Sequence, residues 1–174
     1  MAAPLRVGIS QCLLGENVRY DGGHKLDRMV VETLGPLVEW VPVCPEVEVG
    51  LGTPREPMRL VGEPHTPRLV TITTGVDHTD AMNRFAQQRV RELVALKLSG
   101  FVFKSASPSC GIGAVPLLNS QGLETRHGVG LFARAFMTHL PGMPVEEESR
   151  LHDSQVLKNF LERVRAYHRS RNQV

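Results

Sequence analysis

Three cysteines, Cys12, Cys44 and Cys110, are the residues of this 174-residue chain best suited to chemistry. They lie 32 and 66 residues apart, so no CxxC pair is present to suggest a zinc finger or a dithiol redox centre. A single free cysteine commonly only fills space. Each of these, however, stands beside Gly, Pro or Ser and follows a β-rich run: LRVGIS before Cys12, VEWVPV before Cys44, and FVF a few residues before Cys110. If the runs are parallel strands, their ends share one sheet edge, which is where ligands bind in open α/β sheets. Thiols distant in sequence then meet in space. Three thiolates without an obvious fourth ligand do not make the closed tetrahedral site of structural zinc. They suit a 4Fe-4S cluster held by three cysteines, whose open iron is a soft Lewis acid fit for a sulfur-bearing ligand. Two alternatives stand beside this reading. One is a structural, zinc-stabilised binding module. The other is a metal-free sulfurtransferase in which Cys110 carries a persulfide, which needs a base, and the next histidine in sequence is His127.

The surroundings of the thiols add candidate groups. In CPEVEVG, Glu46 and Glu48 follow Cys44, and one of them could act as a general acid/base while the other is an ordinary solvated carboxylate. In KSASPSCGIG, Ser105, Ser107 and Ser109 alternate ahead of Cys110, Pro108 stiffens the turn, and Gly111 and Gly113 allow close backbone approach. These serines could equally serve only as turn hydrogen-bond partners. NVRYDGGHK places Arg19, Tyr20 and Asp21 shortly after Cys12, where they could hold a planar ring or a phosphate, or form a plain loop.

The elements that must position these groups alternate between strand and helix. Residues 5–10 and 38–43 read as strands, the second weakened by Pro42, which suggests an edge strand or the strand's end. Residues 26–35 read as a helix ended by Gly35. Residues 50–68, rich in Pro and Gly, read as a long loop, and 68–73 as a third strand. Met82, Phe85, Ala86, Val90, Leu93 and Val94 recur at helical spacing, predicting a long helix capped by Asp77 or Thr79 and ended by Gly100. Residues 101–103 are a fourth strand, 115–122 a turn or hairpin, 129–140 a helix, 144–146 a short strand and 153–168 a final amphipathic helix. This order predicts a three-layer, Rossmann-like α/β fold, a mainly parallel sheet with helices on both faces.

Composition narrows the class. With 41% hydrophobic and 22% charged residues the chain can bury one sizeable core, and one domain is expected. A net charge of +2 gives no general argument for nucleic acid, although Lys158, Arg163, Arg165, Arg169 and Arg171 face the single acid Glu162 between residues 158 and 171. No stretch has the roughly 20 apolar residues needed to cross a bilayer. The N-terminal MAAPLRVGISQCLLG is too interrupted for a signal peptide. A cytoplasmic location with reduced thiols, and no membrane partner, is the expectation.

CLLGENVRYDGG, VCPEVEVGLGTPREP and SPSCGIG together, in this order, resemble the thiouracil desulfidase family, formerly a bacterial domain of unknown function, over roughly residues 5–145. The resemblance implies a 4Fe-4S cluster on Cys12, Cys44 and Cys110 and non-redox removal of sulfur from thiolated uracil or uridine, a C–S hydrolase or lyase activity releasing hydrosulfide. It maps the catalytic acid/base to Glu46 and the assisting serine to Ser107, with Ser109 and Ser105 as alternatives. Arg19, Tyr20, Asp21 and Ser109 are the candidates for binding substrate. Residues 144–168 are similar to longer relatives, acting on 4-thiouridine in tRNA, in which this domain precedes a second, helical one. Residues 1–150 are therefore expected to form the desulfidase domain and 151–174 a C-terminal helix or linker. The chain stops at Val174 without that second domain, which makes a small thiolated pyrimidine the expected partner and tRNA a conditional one.

Overall fold

The computed structural model describes residues 3–173; Met1 and Ala2, where the signal-peptide reading begins, and Val174 lie outside the described residues. Strands β1 (Arg6–Ser10), β2 (Glu39–Val43), β5 (Phe101–Phe103) and β8 (Val145–Glu147) form one sheet in the order β2-β1-β5-β8, every neighbouring pair parallel. Helix α1 (Arg28–Leu34) links β1 to β2. Val30 and Leu34 of α1 pack with Phe160 and Val164 of the last helix, α5 (Ser154–Asn172), against Val7, Ile9 and Val102 on one face. On the other face α3 (Thr79–Ala95) and α4 (Leu131–His139) bring Ala86, Val90, Leu93, Phe132, Ala133 and Phe136 against Phe101 and Phe103. The three-layer α/β arrangement predicted from the alternation is the fold observed, and Pro42 does sit in an edge strand.

The aromatic heart of the sheet explains a glycine. Phe101 and Phe103 stack with centroids 4.1 Å apart, and Phe136 meets Phe101 edge-on at 5.0 Å. The ring of Phe101 lies over Gly8 of the neighbouring strand, where a Cβ would stand 2.2 Å from a ring carbon. Only a residue without a side chain fits beneath that ring.

A second sheet was not expected. Residues 50–68 were predicted to be loop, yet Met58–Glu63 forms β3 and pairs antiparallel with β4 (Thr66–Thr71), which sequence reading had placed in the main sheet. β3 also pairs in parallel with β6 (Val115–Leu118), itself in a hairpin with β7 (Glu124–Gly128), in the order β4-β3-β6-β7. The alternation of Met58, Arg59 and Leu60, buried, exposed and buried, is short and lies among prolines, which hides it. Helix α3 also departs from expectation at both ends. Its N-cap is His78, with the Asp77 carboxylate accepting from the Thr79 amide and hydroxyl, and it stops at Ala95, before Lys97 turns left-handed at φ 57.

Burial predicts how α5 contributes. Phe160→Ala should cost about 3–5 kcal/mol, which at about 2–4 °C per kcal/mol lowers the melting temperature by at least 6 °C. Leu123→Ala, at a residue 61% exposed, should leave it within about 2 °C, as surface changes stay within about 0.5 kcal/mol. Equal melting temperatures for the two variants would show that α5 does not depend on its core contacts.

Candidate active site

The chain leaves β1 towards β2 on one side, then crosses to β5 on the other side of β1 and continues outward to β8. Adjacent strands whose connections run in opposite directions open a crevice at their carboxyl ends. A cavity of about 380 Å³ lies there, within the range of small-molecule sites. Cys12, in the 3-10 turn after β1, Cys44, directly after β2, and Cys110, in the loop after β5, all line it.

Each thiol segment is fixed by polar groups. Glu48, in the four-residue helix α2 (Pro45–Glu48), accepts from the Cys44 amide at 2.8 Å and pairs with Arg89 of α3 at 2.9 Å. Glu148, buried just past β8, accepts from Lys104 Nζ at 2.7 Å and from the Ser105 amide and hydroxyl at 2.7 and 2.8 Å. The Lys104 amide donates to the Ser10 hydroxyl at 2.9 Å, tying the end of β5 to the end of β1. The Cys12 carbonyl accepts from the Lys25 amide at 2.9 Å, closing its turn.

Electrostatics disfavour thiolates at all three positions in the absence of added positive charge. Burial pushes the Cys12 thiol up to about 11, against the pull of Arg19 and Lys104, and the neighbouring Cys44 pushes it further. Burial raises Cys44 as well, with the Val47 amide and Arg55 opposing. Cys110, fully enclosed, is raised furthest, by burial first and then by Cys12 and Cys44, despite hydrogen bonds with Ser10 and Ser109. Such thiols are poor nucleophiles on their own. They become thiolates readily once bound to a cationic metal group.

Glu46 projects from α2 into the same cavity. Its Oε1 accepts from the Ser109 hydroxyl at 3.2 Å, and its Oε2 accepts from Arg55 Nε at 2.8 Å and lies 2.7 Å from Arg55 Nη2. Ser107 lines the cavity as well. Its oxygen accepts from the Cys110 and Ser109 amides at 3.1 and 3.3 Å, which organises the turn, and lies 3.1 Å from the Ser109 hydroxyl. Ser105 is engaged by Glu148. The three serines are therefore not equivalent: Ser109 touches the carboxylate, Ser107 braces the cysteine turn, and Ser105 anchors the loop.

Arg19 and Tyr20 line the cavity, with the Arg19 guanidinium 5.5 Å over the Tyr20 ring. Among the described residues the buried Arg19 Nε has no hydrogen-bond partner. Asp21 is not part of the cavity lining; its carboxylate accepts from the Gly23 amide at 2.8 Å and serves its own turn. Sequence reading missed Arg55, Lys104, Ser10, Met58 and Ile72, all of which line the cavity. Arg55 was inside the quoted VCPEVEVGLGTPREP stretch, so its position near the cysteine motif was the available signal. Glu56 steadies the wall: its carboxylate accepts from the Thr73 and Thr74 amides and the Thr74 hydroxyl, next to Ile72. That hydroxyl, first among these bonds, holds the carboxyl of Glu56 below its ordinary range.

A family model described as 2-thiouracil desulfurase matches residues 7–148. The chain belongs to this family. The match spans all three cysteines, Glu46 and Ser109, and ends before α5. The chain is 32% identical over 117 residues to an uncharacterized protein, YbbK, of Bacillus subtilis (strain 168), covering 62% of this chain and 74% of that one. It also resembles the solved structure of a [4Fe-4S]-dependent thiouracil desulfidase, TudS, with 32% identity and a TM-score of 0.70 over 88% of this chain and 98% of the other.

The loop around Cys110 depends on a contact outside its own motif. Gly130, at the start of α4, lies against the backbone of Ser109 and Cys110, where a Cβ would stand 2.4 Å from the Ser109 carbonyl carbon. Gly130→Ala should push the loop away at a cost of about 1–3 kcal/mol. In metal-free protein, alkylation of the buried Cys110 by iodoacetamide, followed by peptide mass spectrometry, should rise several-fold, while Gly142→Ala, in open space, leaves it unchanged. Unchanged Cys110 protection in Gly130→Ala would mean that the loop yields without moving its thiol.

Proposed function

We propose that the chain is a non-redox desulfidase that removes sulfur from thiolated uracil or uridine by hydrolysis of the carbon–sulfur bond. The observation that carries this reading is the convergence of three thiols, Cys12 half-buried and Cys44 and Cys110 buried, with a carboxylate and a hydroxyl on one cavity at the edge of a parallel sheet.

The donor set fits a 4Fe-4S cluster. Cys12, Cys44 and Cys110 would hold it, and their mutually opposed ionisation is the condition that a cationic iron–sulfur group relieves. Among the described residues no three His, Cys, Asp or Glu side chains are placed to hold a single metal ion. Thiols that ring a cavity without meeting at a point suit a polynuclear group better than the closed zinc site of a binding module. When bound, such a cluster supplies a soft Lewis acid for the substrate's sulfur.

The chain's own residues supply the remaining chemistry. Water adds to the thiocarbonyl carbon, the carbon–sulfur bond breaks, oxygen stays as the carbonyl and sulfur leaves as hydrosulfide. Glu46 Oε1 faces the cavity beside Ser109 and takes the proton from the attacking water. The Ser109 hydroxyl orients that carboxylate, and Ser107 keeps the Ser109 and Cys110 amides in register behind it. Tyr20, Met58 and Ile72 offer apolar contact to a pyrimidine ring, and the guanidinium of Arg19, which also lines the cavity, offers donors to an oxygen of the substrate. The cavity takes one base or nucleoside at a time. We keep tRNA as a substrate only for a chain carrying a second domain. A persulfide carried by Cys110 receives no support, because the surroundings raise that thiol and leave it protonated.

Two measurements test the reading. After anaerobic reconstitution, iron and sulfide analysis should give about four of each per chain, as the cluster's formula requires, and Cys12→Ala or Cys44→Ala should abolish both cluster and turnover. A colourless protein holding one zinc would end the cluster assignment. Glu46→Gln should keep its iron yet lose at least about 100-fold in turnover of 2- or 4-thiouracil, the low end for general acid–base catalysis. Glu48→Gln should do much less. Parent-rate turnover by Glu46→Gln, or loss of its iron, would remove the role given to this carboxylate.

A further inference from the structure

We infer that Arg55 is a positioning residue that acts through Glu46, and this rests on the reading of Glu46 as the group that handles the proton. Two donors of the guanidinium, Nε at 2.8 Å and Nη2 at 2.7 Å, engage the same oxygen, Oε2. The other oxygen, Oε1, is thereby left to Ser109 and the cavity. A carboxylate with both oxygens free rotates about its last bond and presents either of them. Here one orientation is selected.

Arg55 is itself held. Its Nη1 donates to the Gly52 carbonyl at 2.8 Å, and its main-chain amide donates to the Tyr20 carbonyl at 2.8 Å. Side-chain exposures of 8% for Arg55 and 13% for Glu46 leave little water to compete for the pair. The same contact links the Tyr20 segment, at the cavity's rim, to the carboxylate within it.

The geometry is specific to an arginine. Lysine would keep the charge and lose the fork, since its ammonium is a point charge with no fixed geometry.

The experiment compares Arg55→Lys, Arg55→Ala, Glu46→Gln and the Glu46→Gln/Arg55→Ala double variant, each reconstituted anaerobically. For each, kcat, KM, iron content and the melting temperature of the metal-free chain are measured. Arg55→Lys should lose about tenfold and Arg55→Ala about 100-fold in kcat, the scale of a small misplacement of a catalytic group. KM should stay within about threefold, since ground-state binding is untouched. Iron content should match the parent. In the Glu46→Gln background Arg55→Ala should cost less than about threefold more, as expected for residues acting as a unit. Arg55→Ala should lower the melting temperature more than Arg55→Lys, because it strands a buried carboxylate.

Penalties that multiply in the double variant, a main effect on KM, or loss of iron from Arg55→Lys would overturn the inference, as each places the action of Arg55 elsewhere. Parent-rate turnover by Arg55→Ala with a disabled Glu46→Gln overturns it alone. Parent-rate turnover by Glu46→Gln overturns the reading of the base beneath it.

Discussion

Parallel pairing of β1 with both β2 and β5 is the constraint on which the site depends. Parallel strands run in one direction, so three segments far apart in sequence must emerge at the same edge. The crossover from β2 past β1 to β5 opens the crevice between them, and the thiols occupy its rim because each follows a strand. The tight overlay of Phe101 on Gly8 keeps the two central strands in register at this point. A shift of one residue would turn the buried aromatic face towards the opposite helices.

Carboxylates do most of the scaffolding around that edge. Glu48 fixes the amide of Cys44, Glu148 fixes Lys104 and Ser105, and Asp27 caps α1, accepting from the Val30 amide at 3.1 Å, while meeting His152 at 2.7 Å. These acids are consumed by local hydrogen bonds. Glu46 differs in lining the cavity, with the Ser109 hydroxyl as the partner of its Oε1. A buried carboxylate stripped of its partner is costly, about 3–5 kcal/mol for a broken buried pair. Such groups therefore set loop positions sharply, and the loops carrying the cysteines inherit that precision.

Much of this was legible in the sequence, and the rest was not, for identifiable reasons. The thiol-bearing edge could be read because each cysteine follows an apolar run, and α3 and α5 because long periodic faces are robust signals. The second sheet escaped because its strands are brief and flanked by proline and glycine, the residues that also mark loops. Arg55 escaped because one arginine in such a stretch has no periodicity, and its partner is brought to it only by the turn after α2. The three serines share one motif, and only their hydrogen bonds separate the hydroxyl that meets Glu46 from those that hold the backbone. Glu148, the last of three successive glutamates, is buried, which nothing in its sequence neighbours signals.

The cavity is assembled from two sheets with separate strand ladders. The cysteines, Glu46 and the serine loop hang from the parallel sheet, whereas Met58 begins β3 and Ile72 directly follows β4 in the mixed sheet. Side chains on that second wall can change in size or polarity while the residues bearing the reactive groups keep their hydrogen bonds. Such a division lets one half of the enclosure be refitted to other molecules while the other half holds the reactive groups in place. An engineer seeking altered selectivity would begin at the β3–β4 hairpin.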